Sequence, residues 1–78
     1  MDAKFTLDVR GLRCPLPVIR METMLRRLPV GVMLKVFADD PVAAVDIPHF
    51  ARAAGHDCHA LPGSGGVCVF LVTRGEKP

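Results

Sequence analysis

The stretch GLRCPLPVIR, residues 11–20, sets a cysteine against two prolines that flank a single leucine. Proline has no amide hydrogen and breaks a helix interior, but the first turn tolerates it because those amides have no intrahelical acceptor. With Cys14 as N-cap, Pro15 and Pro17 take helix positions N1 and N3, and the amides of Leu16 and Val18 stay free to face the sulfur. On this reading the prolines start the helix and fix the orientation of the thiol. Downstream, Val18, Met21, Leu25 and Leu28 recur at helical spacing, Glu22 and Arg26 stand as an i,i+4 pair, and Pro29 and Gly31 close the helix.

Upstream of the cysteine, residues 4–10 alternate strictly, with Phe5, Leu7 and Val9 on one face and Lys4, Thr6, Asp8 and Arg10 on the other. That period marks a strand with one buried face. Residues 32–38 are β-rich and largely apolar, as a central strand covered on both faces would be, and such strands have parallel neighbours. DDPVAAVDIPHFARAAG carries two start signals, Asp40 before Pro41 and Asp46 shortly before Pro48. They predict a short helical turn from Pro41 that restarts as a helix near Asp46 and ends at Gly55.

Residues 56–61 and 67–73 form a hairpin around PGSGG, with Leu61 expected opposite Gly66 and His59 opposite Cys68. The order β-α-β-α-β-β, with right-handed crossovers, predicts an α+β fold. It is a two-layer α/β sandwich: a mixed four-stranded sheet with two helices on one face. The tail from Gly75 to Pro78 is expected to fray.

Seventy-eight residues suffice for one small domain. Half are apolar, with four phenylalanines and no tryptophan or tyrosine, so the core must be aliphatic. The start MDAKFTLDV has neither a basic n-region nor an apolar h-region, and no stretch is long and apolar enough to span a bilayer. Three cysteines, at 14, 58 and 68, do not make a disulfide framework, and the expected compartment is the cytoplasm. The net charge of +2 names no polyanionic partner, but residues 1–27 hold six basic groups against three acidic ones.

A thiol at a helix N-terminus is favoured as the anion by the dipole and by nearby cations. Arg13, with Arg10 or Arg20 behind it, is placed to add to this. The free-thiol pKa of about 8.5 is therefore expected to fall, giving a nucleophile poised near neutral pH. No CxxC pair is present, so a resolving thiol one turn away is missing. The competing reading is a small, inert cysteine that happens to precede prolines.

LDVRGLRCPLPVIR followed by ADDPVAAVDIPHFARAAGH resembles the TusA/SirA-like sulfur-carrier family, over nearly the whole chain. The resemblance implies a single domain over residues 1–78, with the Cys-Pro-x-Pro cysteine opening the first helix. It implies that Cys14 bears sulfane sulfur as a persulfide and that Pro15 and Pro17 are the motif prolines; their positioning of the thiol and the electrostatic support from Arg13 are read from the residues themselves. The implied partners are a cysteine desulfurase or rhodanese-like donor and a DsrE-like or other acceptor protein. Implied downstream uses are tRNA thiolation and sulfur oxidation. Leu16 departs from the glutamate that tRNA-thiolating members often carry between the prolines. No cofactor, metal, membrane or direct nucleic-acid contact is expected, and the chain is expected to act as a monomer and a relay rather than a turnover enzyme.

A thiolate that attacks the outer sulfur of a donor persulfide needs no evident pocket, so specificity is expected in docking through the basic face of Arg13, Arg20, Arg26 and Arg27. Other candidates are weaker. His56, Cys58, His59 and Cys68 lack the close ligand pairs typical of zinc sites. GSGG joins two strands instead of opening a helix, against a phosphate loop. Asp39, Asp40 and Asp46 suggest acid/base carboxylates, yet Asp40 and Asp46 are explained as N-caps. The rival function is a small RNA-binding or regulatory interaction module, disfavoured by the absence of tyrosine and tryptophan for base stacking.

Overall fold

A computed structural model describes residues 4–76. In chain order the elements are β1 (Phe5–Asp8), α1 (Leu16–Arg27), β2 (Met33–Ala38), α2 (Pro41–Ala53), β3 (Asp57–Leu61) and β4 (Cys68–Thr73), the expected β-α-β-α-β-β series. The strands form one mixed sheet in the order β1-β2-β4-β3. β2 runs parallel to β1, Phe5 opposite Leu34 through Asp8 opposite Phe37, but antiparallel to β4. The expectation of parallel neighbours for β2 thus holds on one side only. CVFLVT, apolar on both faces, takes the inner position, and DCHAL, which exposes Asp57 and His59, lies at the edge.

One face of the sheet carries the core. Leu34, Val36 and Ala38 of β2, Phe70 and Val72 of β4, Cys58 of β3 and Val9 beyond β1 are buried with Val18, Met21 and Leu25 of α1 and Ala43, Ile47 and Ala51 of α2. The aliphatic composition is spent here, on side chains each worth about 1.5–3 kcal/mol when fully buried. β2 alternates between buried and half-buried residues, so its second face is less covered than its apolar sequence implied.

α2 corrects a second expectation. It is one helix from Pro41 to Ala53 with Pro48 inside it, and no restart occurs at Asp46. Pro48 removes one backbone bond, a loss of about 3 kcal/mol in an isolated helix. Ala43, Ile47 and Ala51, spaced four apart on either side of it, are each 1% exposed or less. Burying that continuous stripe holds the helix together across the proline. Asp40 caps it, accepting from the amide of Val42 at 3.4 Å.

The hairpin register also differs from expectation. Leu61 lies opposite Val69, His59 opposite Leu71 and Cys58 opposite Val72, while Cys68 pairs across β2 with Ala38. The expected register is three residues away, an odd shift that would invert one strand relative to the other. The observed pairing puts Phe70 and Val72 on the same face as buried Cys58, so burial decides it. Cys58 and Cys68 are both free thiols.

The fray expected from Gly75 does not begin there; Lys77 and Pro78 lie outside the described residues. The Gly75 amide donates to His56 Nδ1 at 2.8 Å, and a Cβ on Gly75 would collide with the carbonyl of Gly55. Burial and the neighbouring Arg74 charge lower the His56 pKa from 6.5, against an opposing pull from Glu22. A group that is neutral in the fold and easier to protonate when unfolded makes the unfolded state bind more protons as pH falls. Stability is therefore expected to drop as pH falls below about 6.5, the ordinary histidine value, and His56→Gln should flatten that drop. Denaturant midpoints at pH 7 and pH 5 for both proteins test this; equal slopes with pH would exclude the imidazole.

Candidate functional site

The segment that carries Cys14 is tied down before the helix begins. At the end of β1 the Asp8 carboxylate accepts from the Arg10 amide at 3.0 Å and from its guanidinium at 2.9 and 2.8 Å. These bonds hold the Asp8 pKa at about 2. The chain turns at Gly11, whose φ of +85° suits glycine, and the Gly11 amide donates to Asp39 Oδ1 at 2.9 Å. The Cys14 amide donates to Asp40 Oδ2 at 2.9 Å. Two adjacent carboxylates at the β2–α2 junction thus strap the loop, and Asp40, 5% exposed, binds it and caps α2 at once.

The helix starts later than expected. Cys14 is not its N-cap; α1 begins at Leu16, Pro15 occupies the cap position without a side-chain bond, and the Cys14–Pro15 peptide is cis. Pro17 falls at the second helical position. The Leu16 amide, expected to face the sulfur, donates to the Arg13 carbonyl at 2.9 Å. That turn uses the donor and moves the first helical residue past the first proline; Pro15 contributes its carbonyl, which accepts from the Ile19 amide at 3.1 Å.

The thiol itself is exposed, and Sγ donates to Asp46 Oδ2 at 3.2 Å. This overturns the expectation of a lowered pKa. The hydrogen bond to Asp46, partial loss of solvent, and the charges of Asp46 and Asp40 all push the Cys14 thiol up. Arg13 does not offset them: its side chain is 82% exposed and its guanidinium lies 3.9 Å from Asp40 Oδ1, on the carboxylate rather than the sulfur. The resting group is a thiol held by an acid, in a setting opposite to that of an activated thiolate.

Beside the sulfur lies an open cavity of about 310 Å³, lined by Cys14, Pro15, Val18, Ile19, Glu22, Asp46 and Phe50. No local pattern foretells it, since it forms where α1 and α2 meet. Leu16 and Ile19 on α1 and Val42, Val45 and Phe50 on α2 are large apolar side chains left exposed. Arg13, Arg20, Arg26 and Arg27, the basic residues expected to dock a partner, are exposed as well, but they do not line this cavity.

The remaining candidates fall apart in space. Cys58 is buried under the helices, where desolvation raises its pKa, while His59 points to the other face of β3. Among the described residues no three His, Cys, Asp or Glu side chains are grouped to hold a metal ion. The GSGG segment is the exposed hairpin loop. Asp46 is the residue whose role the sequence hides: it reads as an N-cap facing its own amides, but with α2 continuous from Pro41 it sits one turn and a half into the helix and reaches the sulfur.

An exposed cysteine, strapped at its amide and hydrogen-bonded at its sulfur, at the head of a helix on a two-layer α+β sandwich, defines a class: a small thiol-bearing domain that presents one sulfur to other molecules. Residues 5–74 match the family model described as Sulfurtransferase TusA, and the chain belongs to that TusA/SirA-like family. A relative from Pseudomonas putida (strain W619), named sulfur carrier protein TusA, is 47% identical over 68 residues, 87% of this chain and 85% of that protein. The putative sulfur carrier protein YrkI of Bacillus subtilis (strain 168) is 31% identical over 75 residues, 96% of this chain and all of that protein. A crystal structure of a SirA-like protein from Desulfitobacterium hafniense superposes with a TM-score of 0.81 at 29% identity, over 92% of this chain and 99% of that one. No helix among the described residues is long and apolar enough to cross a membrane.

Proposed function

We propose that this chain is a sulfur carrier whose Cys14 takes up sulfane sulfur as a persulfide and passes it to the thiol of an acceptor protein. The observation that carries the reading is the exposure of Cys14 Sγ beside an open cavity while the Cys14 amide is fixed to Asp40. A carrier needs this combination: a sulfur that another protein's cysteine can reach, on a backbone that does not wander. Membership of a family whose relatives are named sulfur carriers supports it.

In uptake, Cys14 Sγ forms a bond to the outer sulfur of the donor's persulfide, the donor's sulfur–sulfur bond breaks, and the donor leaves as a thiolate. In release, the acceptor thiolate attacks the same outer sulfur and Cys14 is the leaving group. The donor is of the cysteine desulfurase or rhodanese kind and the acceptor a DsrE-like or other sulfur-acceptor protein, in the cytoplasm, feeding tRNA thiolation or sulfur oxidation. Docking uses the apolar side chains around the cavity, Ile19 and Phe50 foremost, with the α1 arginines steering an acidic partner surface.

The test is the intact mass of the chain after incubation with a cysteine desulfurase and cysteine. A gain of a single sulfur supports the carrier. No gain, together with salt-sensitive RNA binding, would favour an RNA-binding module instead.

A further inference from the structure

Asp46 does not behave like a group that activates a nucleophile. It lies 3.2 Å from Cys14 Sγ as the acceptor of the thiol proton, on a helix whose N-cap, Asp40, holds the Cys14 amide. The charged groups that face the sulfur are Asp46 and Asp40 from the α2 side, Glu22 of α1 in the shared cavity, and Arg13, whose guanidinium is turned to Asp40. The surroundings are therefore acidic on both helices, which suits a protonated sulfur and opposes an anionic one. Asp46 is half-buried and takes no part in capping its helix, so nothing in the fold of α2 accounts for an acid at this position.

A persulfide differs from a thiol in the two properties that Asp46 senses. It is a stronger acid, because its negative charge is shared by two sulfurs, and Cys14 Sγ, now bonded to sulfur, no longer carries the proton that Asp46 accepts. We propose, resting on the carrier reading, that Asp46 is a positioning residue that favours the empty state of Cys14: its carboxylate holds the proton of the free thiol and repels the anion of the loaded persulfide.

The proton and electron count closes without a further reactant. On loading, the bond from Cys14 Sγ to the outer sulfur forms, the donor's sulfur–sulfur bond breaks with its electron pair on the donor sulfur, and the thiol proton passes to that thiolate. On release, the acceptor thiol gives up its proton as its sulfur takes the outer sulfur, the bond from Sγ to that sulfur breaks with its pair on Sγ, and that proton passes to Sγ, where Asp46 again accepts its hydrogen bond. No net oxidation occurs in either direction. Asp46 contributes at each end, by hydrogen bonding to the product of release and by repulsion in its reactant, so both effects push sulfur off the carrier.

The comparison uses the wild-type chain, Asp46→Asn and Asp46→Glu, each followed at the Cys14 peptide by mass spectrometry so that Cys58 and Cys68 do not interfere. In the unloaded chains, iodoacetamide labelling of Cys14 across pH needs no sulfur chemistry. Asp46→Asn should label several-fold faster at neutral pH, its profile moved to lower pH, and Asp46→Glu should return toward the wild type. In chains loaded with inorganic polysulfide and then given glutathione, Asp46→Asn should lose its Cys14 sulfur several-fold more slowly and keep a larger loaded fraction at equilibrium. An unmoved labelling profile, or release from Asp46→Asn as fast as from the wild type, overturns the role of Asp46. If the labelling profile moves but wild-type Cys14 takes up no sulfur, the carrier reading fails, and the loaded-state role of Asp46 with it.

Discussion

Replacing Cys14 by serine will abolish sulfur uptake and leave the fold intact. The hydroxyl is nearly isosteric with the thiol and can still donate to Asp46, so the contact at 3.2 Å survives in kind. Cys14 is exposed and lies outside the core cluster, so the exchange costs little burial. What is lost is the only atom at that position able to form a sulfur–sulfur bond with a donor persulfide. Cys68→Ser serves as the control, because Cys68 is half-buried at the edge of the core and should leave uptake in place. Cys58→Ser is a poorer control: it puts a hydroxyl in the core, where an uncompensated polar group costs about 1–3 kcal/mol. Sulfur uptake that persists in Cys14→Ser would move the carrier role to another cysteine.

Asp40→Ala is expected to lower stability by about 1–3.5 kcal/mol, combining a lost helix cap of about 0.5–2 with a lost part-buried hydrogen bond to the Cys14 amide of about 0.5–1.5. That is a large part of the roughly 5–15 kcal/mol that holds a domain folded. The same change releases the Cys14 amide, so the thiol should lose its fixed placement and sulfur transfer should slow even where the protein remains folded. Asp40→Asn separates the two effects. Its one carbonyl oxygen can accept from Cys14 or from Val42 but not in the geometry of both, so it should recover part of the stability and remove the charge. Chemical denaturation followed beside transfer rates reads both; an Asp40→Ala chain as stable as the wild type would contradict the strap.

The architecture was largely legible from local pattern. Alternation over Phe5, Leu7 and Val9 and helical spacing over Val18, Met21 and Leu25 mark β1 and α1, and the Cys-Pro-Leu-Pro run with ADDP and DIP marks the family. The differences arise where tertiary burial outweighs a local signal. Pro48 reads as a helix boundary, yet the buried stripe of Ala43, Ile47 and Ala51 runs through it. The glycines of the hairpin allow several registers, and the need to bury Phe70 with Cys58 selects one.

The site was legible in its cysteine and hidden in its environment. Cys14 announces itself beside two prolines, but the carboxylates that act on it are 26 and 32 residues away in sequence. Asp46 reads as a cap, and the basic residues near Cys14 in sequence suggest a cationic setting. In space Arg13 turns to Asp40, and the sulfur meets acids. The resting carrier is consequently protected as a thiol, and reactivity is expected to appear when a partner covers the cavity and brings its own persulfide to Sγ.

The most direct measurement is a peptide-resolved map of sulfur on the three cysteines, taken after a brief exposure to a persulfide-bearing desulfurase and again after a chase with an acceptor thiol. The account predicts one extra sulfur on the Cys14 peptide, none on the peptides of Cys58 and Cys68, and loss of the Cys14 sulfur to the acceptor during the chase. Sulfur accumulating on Cys58 or Cys68 with Cys14 unmodified, or sulfur that stays on Cys14 through the chase, would contradict it.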